Sequence, residues 1–201
     1  MRPVHKKTVS ALFLLLVFAI ALGSGALALF LSSDEGRIEV NRPVSFPKLQ
    51  EGEIGLVYFG YVGCRYICLP AMEEMGALFG RLENEGVAER TRFYFVSLDT
   101  RTDAGVVQNY ARSFHPAFIG LSPDKATLAT MRTAYGFQQS RSPFDTTEIS
   151  HTGFLYLLIK KNKKEIIKYI YITKPYNGGQ ISKDIKNVLK ESLHVQAVPR
   201  L

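Results

Sequence analysis

The sequence predicts an α/β domain, a mixed central sheet flanked by helices, preceded by one apolar N-terminal segment. Three observations carry that expectation. Residues Ile54–Gly60 and Phe93–Leu98 are short, almost wholly apolar runs, as strands buried on both faces are. Segments with apolar residues at helical spacing follow each run. A lysine-rich stretch then separates two further apolar runs near the C-terminus, the pattern of a β-hairpin. The chain has 201 residues, 46% apolar and 21% charged. That balance excludes a disordered chain and leaves room for one domain plus an appendage. Two cysteines and four histidines exclude a disulfide-dense scaffold and leave few ways to build a multi-metal site.

The appendage comes first. No charged residue stands between Lys7 and Asp34, and residues 11–31 are almost wholly apolar. As a helix those residues rise about 31 Å, the thickness of a bilayer's hydrocarbon core. Arg2, Lys6 and Lys7 precede the stretch, and Asp34 and Glu35 follow it. The basic flank should stay in the cytoplasm, which exports the rest of the chain. The expected organisation is an N-terminal membrane anchor over 1–33 and a globular domain over 34–201. A cleaved signal peptide is the competing reading, because Ala26-Leu27-Ala28 resembles a small-x-small cleavage site. Against it, the apolar run is longer than a usual signal core and continues through Leu31. Without its three N-terminal basic residues the chain carries 22 basic and 18 acidic side chains. That excess is too mild to argue for a nucleic-acid partner.

The globular domain reads in order. Arg37 to Glu53, with Pro43 and Pro47, is an extended lead-in to the strand Ile54–Gly60. A helical pattern starts near Cys64 or Arg65 and runs through Met72, Met75, Leu78, Phe79 and Leu82, with both methionines on the core face. Phe93 to Leu98 is the second strand, Gly105 to Phe114 a helix, and Phe118 to Leu121 a third, short strand. Asp124 after Pro123 caps another helix, with Leu128, Met131 and Tyr135 on one face and Gly136 as its stop. Residues 137–150 are polar and contain Pro143, so they read as a loop. Gly153 to Ile159 and Glu165 to Ile172 are strands joined through Lys160-Lys161-Asn162-Lys163-Lys164, a solvated hairpin tip. Ser182 to Leu193 closes the chain as a helix. This order suits a thioredoxin-like sandwich, whose terminal hairpin runs antiparallel to the earlier strands.

The chemistry concentrates in Gly60-Tyr61-Val62-Gly63-Cys64-Arg65-Tyr66-Ile67-Cys68. Sulfurs four residues apart share one side of a helical turn, close enough for a common ligand. Unpaired N–H groups at a helix start favour a thiolate, and Arg65 adds a positive charge beside it. Thiolates are nucleophiles and also ligands for soft metals such as Cu(I). Two buried structural cysteines or a plain disulfide remain the bland alternatives. The spacing is not the two-residue one of the usual thioredoxin redox motif. His115, His151 and His194 are scattered, so a closed structural zinc site is not expected. His115 reads as structural, and Asp99, at a strand's end, as either an electrostatic neighbour of the site or a turn cap.

Several motifs in order give this sequence its resemblance to the Sco (SenC) family of membrane-anchored copper proteins. Tyr58-Phe59-Gly60-Tyr61-Val62-Gly63-Cys64 through Cys68-Leu69-Pro70 is similar to the family's Tyr-Phe-Gly-Tyr-Thr-x-Cys-x-x-x-Cys-Pro. Val96-Ser97-Leu98-Asp99, Phe114-His115-Pro116 through Leu121, and Ala134-Tyr135-Gly136 match further stretches. His151-Thr152, ahead of Phe154 to Leu157, stands where the family has its metal-binding histidine. The resemblance covers residues 38 to 193. It departs at Arg65-Tyr66-Ile67, where the family usually has Pro-Asp-Val, and at Leu69, which displaces the expected proline to Pro70.

The resemblance implies a thioredoxin-like domain in which Cys64, Cys68 and His151 bind copper, as Cu(I) and Cu(II). It implies a metallochaperone anchored in the bacterial inner membrane with its domain in the periplasm. Copper would pass to the dinuclear copper site of cytochrome c oxidase, whose copper-bearing subunit is the expected partner, with other copper chaperones or thiol reductants beside it. The alternative is a thiol–disulfide oxidoreductase that keeps that client's cysteines reduced, with Cys64 attacking and Cys68 resolving. A peroxidase has fold-level support only.

Overall fold

This computed structural model describes residues 36–141 and 148–197, with side chains through Ser192. The expected membrane span at 11–31 lies outside the described residues, as does the side chain of His194. Among the described residues no helix is long and apolar enough to cross a membrane.

The centre of the domain is β2 (Ile54–Gly60), buried along its whole length. It pairs in parallel with β3 (Thr91–Ser97), and β3 pairs in parallel with β4 (Ile119–Leu121). Parallel neighbours need a crossover, and α1 (Cys68–Asn84) and α2 (Ala104–Arg112) supply the two. On its other side β2 meets β7 (Leu155–Lys161) antiparallel, and β7 turns into β8 (Lys164–Tyr171). The turn residues Asn162 and Lys163 both have positive φ, the backbone of a two-residue hairpin loop. Lys161, Lys163 and Lys164 stay in solvent at its tip. With β1 (Arg37–Val44) at the edge, the six-stranded order is β1-β8-β7-β2-β3-β4. This is the expected mixed sheet.

Alternation along the strands divides the core in two. Leu56, Tyr58, Phe93 and Phe95 face α1, with Met72, Met75 and Phe79, and α4 (Gly178–Ala197), with Ile181 and Ile185. Val57, Phe59, Tyr94 and Val96 face the opposite way, onto Leu128, Met131 and Tyr135 of α3 (Lys125–Tyr135). Both methionines are fully buried, as their helical spacing required. Asp124 caps α3 by accepting from the Thr127 N–H, and Gly136 ends it in the left-handed conformation. Helix after strand on both faces explains why β2 and β3 read as continuous apolar runs.

Three expectations need correction. The lead-in at 37–53 contains a strand, β1 (Arg37–Val44), at the sheet edge against β8. Its polar side chains, a register shift between Glu39 and Arg42 and Pro43 are features an edge tolerates and a central strand does not. The polar stretch 137–150 is not only loop: β5 (Gln139–Arg141) and β6 (Ile149–His151) form a small antiparallel ribbon. Three-residue strands are too short to show a period. The first helix begins at Cys68, not at Cys64 or Arg65. Pro70 is the reason, since in a helix begun at Arg65 its missing N–H and its ring would fall in the interior. At the third position of α1 the missing N–H is one that would lack a partner anyway.

Candidate metal centre

β2 delivers the chain to the site. Gly60, its last residue, leaves no room for a side chain: a Cβ there would lie 2.8 Å from Cys68 Sγ and 2.9 Å from the Phe95 ring. The turn that follows passes through Gly63 at φ +94 and brings Cys64 in front of α1. Cys64 N–H donates to Tyr61 O at 3.3 Å, and Leu69 N–H donates to Cys64 O at 3.3 Å. No side chain caps α1 at Ile67. Cys64 Sγ stands before the start of the helix, where the N–H groups of Ile67 and Cys68 favour its charged form. Both cysteines are free and buried, Cys64 at 5% exposure and Cys68 at 0%.

From the other side of the sheet's end, β6 brings His151. Its Nε2 lies 3.3 Å from Cys68 Sγ, across 83 residues of chain. One ligand atom from each of Cys64, Cys68 and His151 falls within a 4.8 Å cluster. Among the described residues no carboxylate joins it. The imidazole sits against the rings of Tyr58 and Tyr61, both in edge contact with centroids 6.2 Å away. The Tyr58 hydroxyl donates to Ile67 O at 3.3 Å, tying the turn to β2.

The two sulfurs divide their charge unequally. A hydrogen bond from Cys68, with smaller help from His151 and the N–H groups of Ile67 and Cys68, lowers the Cys64 pKa to about 3. The same sulfur–sulfur bond, burial and the Cys64 charge push Cys68 far up. The opposite directions of the two shifts favour a thiolate on Cys64 beside a thiol on Cys68. The largest influences that favour this thiolate are the Cys68 thiol, His151 and the N–H groups of Ile67 and Cys68; the charge expected from Arg65 is not among them.

The remaining candidates fall outside the cluster. His115 Nε2 pairs with Glu83 at 3.1 Å, and its ring packs on Phe79 and Phe118. It is structural. Asp99 accepts from Arg101 and Arg141, each at 2.9 Å, which holds its carboxyl well below the usual range. Arg141 belongs to β5, so Asp99 ties the end of β3 to the ribbon that carries His151. Beside the cysteines, Tyr66, Pro70, Glu74 and Lys174 border a groove of about 320 Å³. Tyr66 is 84% exposed at its rim. No motif signalled Lys174, whose ammonium lies 5.9 Å from the centroid of the Tyr58 ring. Nothing marked Gln139, opposite His151, either.

Fold and site together define a thioredoxin-like domain with a thiol–imidazole centre at the carboxyl end of a parallel strand. A family model described as SCO1/SenC matches residues 44–190, and the chain belongs to that family. A SCO2-like protein of Rickettsia felis is 24% identical over 127 residues, 61% of this chain and 60% of that protein. The mitochondrial SCO1 homolog of Homo sapiens is 26% identical over 111 residues, 53% of this chain and 37% of that one. The chain thus spans about three fifths or less of the length of these two relatives. The solution structure of apo Sco1 from Thermus thermophilus superposes with a TM-score of 0.57 at 21% identity, covering 78% of this chain and 95% of that one. Bradyrhizobium japonicum ScoI, solved with copper bound, gives a TM-score of 0.54 at 24% identity, covering 71% and 86%.

Proposed function

We propose that the protein is a copper metallochaperone that carries the ion on Cys64, Cys68 and His151. The observation that carries this reading is the convergence of three soft or borderline donors within 4.8 Å. Two thiolates and an imidazole suit Cu(I), and the nitrogen makes Cu(II) tenable as well. Membership of the family and the copper-bound ScoI relative support the choice of metal. Copper is cargo here, so the site must release it as well as bind it. With Cys64 already a thiolate, binding displaces one proton, from Cys68. The recipient is the dinuclear copper site of cytochrome c oxidase. An anchor over residues 11–31 holds the domain outside the inner membrane, in the periplasm, beside that membrane-bound client.

The test is titration of the full chain with Cu(I) and Cu(II). His151→Ala should weaken Cu(II) far more than Cu(I), and Cys64→Ser or Cys68→Ser should abolish both. A thiolate-to-Cu(II) charge-transfer band unchanged by His151→Ala would remove His151 from the ligand set. A C-terminal reporter active only after export checks the topology, and an inactive reporter on a stable fusion reverses it.

One observation favours a second reading. An attacking thiolate at Cys64 in contact with a protonated Cys68 is the division of labour a thiol–disulfide oxidoreductase needs. That activity would keep the client's copper-ligand cysteines reduced. It separates from copper carriage on His151, which dithiol exchange does not require.

A further inference from the structure

The site as described leaves one fault in its hydrogen bonding, and the ribbon that carries His151 supplies the remedy. His151 Nε2 faces Cys68 Sγ at 3.3 Å, which turns Nδ1 away from the sulfurs. Nδ1 is buried and, among the described residues, has no hydrogen-bond partner. The Tyr58 hydroxyl, on the ring beside the imidazole, is directed to Ile67 O, to which it donates. A metal-ligating imidazole almost always donates from its second nitrogen, because that bond fixes both the tautomer and the ring's rotation.

Gln139 is the Cα partner of His151 across the β5–β6 ladder. Residues directly opposed in an antiparallel pair project from the same face with their Cβ atoms about 5 Å apart. Gln139 Oε1 is itself buried and without a hydrogen-bond partner among the described residues. The two unpaired atoms are complementary: an amide oxygen only accepts, and a neutral imidazole nitrogen carrying the proton donates. The register sets both side chains on one face of the ribbon, and the glutamine's rotatable side chain can turn its amide oxygen along that face.

We propose that Gln139 is the positioning residue of the copper site. With His151 Nε2 on the metal, Nδ1 keeps the ring's single proton and donates to Gln139 Oε1. The inference rests on the reading of His151 as a copper ligand. It assigns a role to a residue without metal-ligand chemistry of its own. Gln139 orients the ring, raises its basicity toward the metal and satisfies two buried polar atoms at once.

The experiment uses the full chain in detergent with Gln139→Leu, which removes the acceptor, and Gln139→Glu, which restores one. Copper is presented as Cu(II), and separately as Cu(I) under reducing conditions, each against a competing chelator. Gln139→Leu should lower Cu(II) affinity about tenfold, the lower end of what losing such a partner costs. In the diamagnetic Cu(I) form, nitrogen-15 spectra of His151 should show a protonated, slowly exchanging Nδ1 in the parent and fast exchange in Gln139→Leu. Gln139→Glu should restore both. If the leucine form fails to fold, Gln139→Met keeps the length without the acceptor. Parent-like affinity and exchange in the leucine or methionine form overturn the proposal. So does a loss that Gln139→Glu leaves unrepaired. Copper binding indifferent to His151→Ala is a separate result: it removes the copper-site reading on which the proposal rests.

Discussion

Cys64 and Cys68 carry opposite perturbations, and their pH consequences differ in sign. The folded pKa of Cys64 lies below its unfolded value, so its contribution to stability is complete above the ordinary thiol pKa of about 8.5. That contribution is lost as pH falls toward the folded value of about 3. Cys68 is shifted the other way, so its contribution is present below the ordinary thiol pKa and is lost only above it. The reduced, metal-free protein should therefore become steadily less stable between neutral pH and pH 4. Cys64→Ser should flatten that slope in denaturant titrations; an unchanged slope would locate the titration elsewhere. Gly60 offers a steric counterpart. A methyl there meets the Cys68 sulfur and the Phe95 ring. Gly60→Ala should cost about 1–3 kcal/mol of stability, the usual range for overpacking. It should also displace Cys68 and weaken Cu(I) binding, read by urea unfolding and chelator competition.

At the scale of elements, the site depends on one junction and one ribbon. The junction between β2 and α1 places the cysteines, and Pro70 sets where that helix starts. The ribbon β5–β6 places His151, and its tie to the main sheet runs through Asp99 and Arg141. This tie is partly exposed on the arginine side, so its contribution to global stability is small, about 0–1 kcal/mol. Its effect is local. Asp99→Asn should leave the unfolding midpoint nearly unchanged and speed amide exchange in residues 139–141 and 149–151. Unaltered exchange there, by mass spectrometry or NMR, would show that the ribbon is held by its own ladder instead.

The described domain as a whole is closed by α4, which covers the sheet beside α1. Its attachment is polar as well as apolar. Asp184 on α4, buried against β8, accepts from Arg37 at 2.6 Å, from the Tyr171 hydroxyl at 2.9 Å and from Gln180 at 2.9 Å. Removing the acceptor deprives a partly buried guanidinium, a buried hydroxyl and the Gln180 amide of their common partner. Asp184→Ala should therefore cost about 2–4 kcal/mol. Thermal or urea unfolding measures this, and a change below about 0.5 kcal/mol would mean that water replaces the carboxylate at no cost.

Local patterns determined a good deal of this protein. Apolar runs of strand length, apolar residues at helical spacing and the lysine-bounded turn identified the strands of the sheet's centre, its helices and the terminal hairpin. Those signals survive in one dimension because burial on two faces, or on one helical face, repeats at a short period. The cysteine pair and His151 were also legible, through their motifs. Only the tertiary structure decided how charge divides between the two sulfurs. The Cys64 thiolate is favoured chiefly by the Cys68 thiol, His151 and two backbone N–H groups, with Arg65 not among these main influences. No sequence spacing encodes that preference, because it depends on where a turn aims its amides. The edge strand β1 and the ribbon β5–β6 were missed for a related reason: their residues are mostly polar, and pairing with distant segments defines them. Gln139 shows the limit most clearly. Its neighbours in sequence say nothing of His151, and only strand register, set by folding, makes the two residues partners.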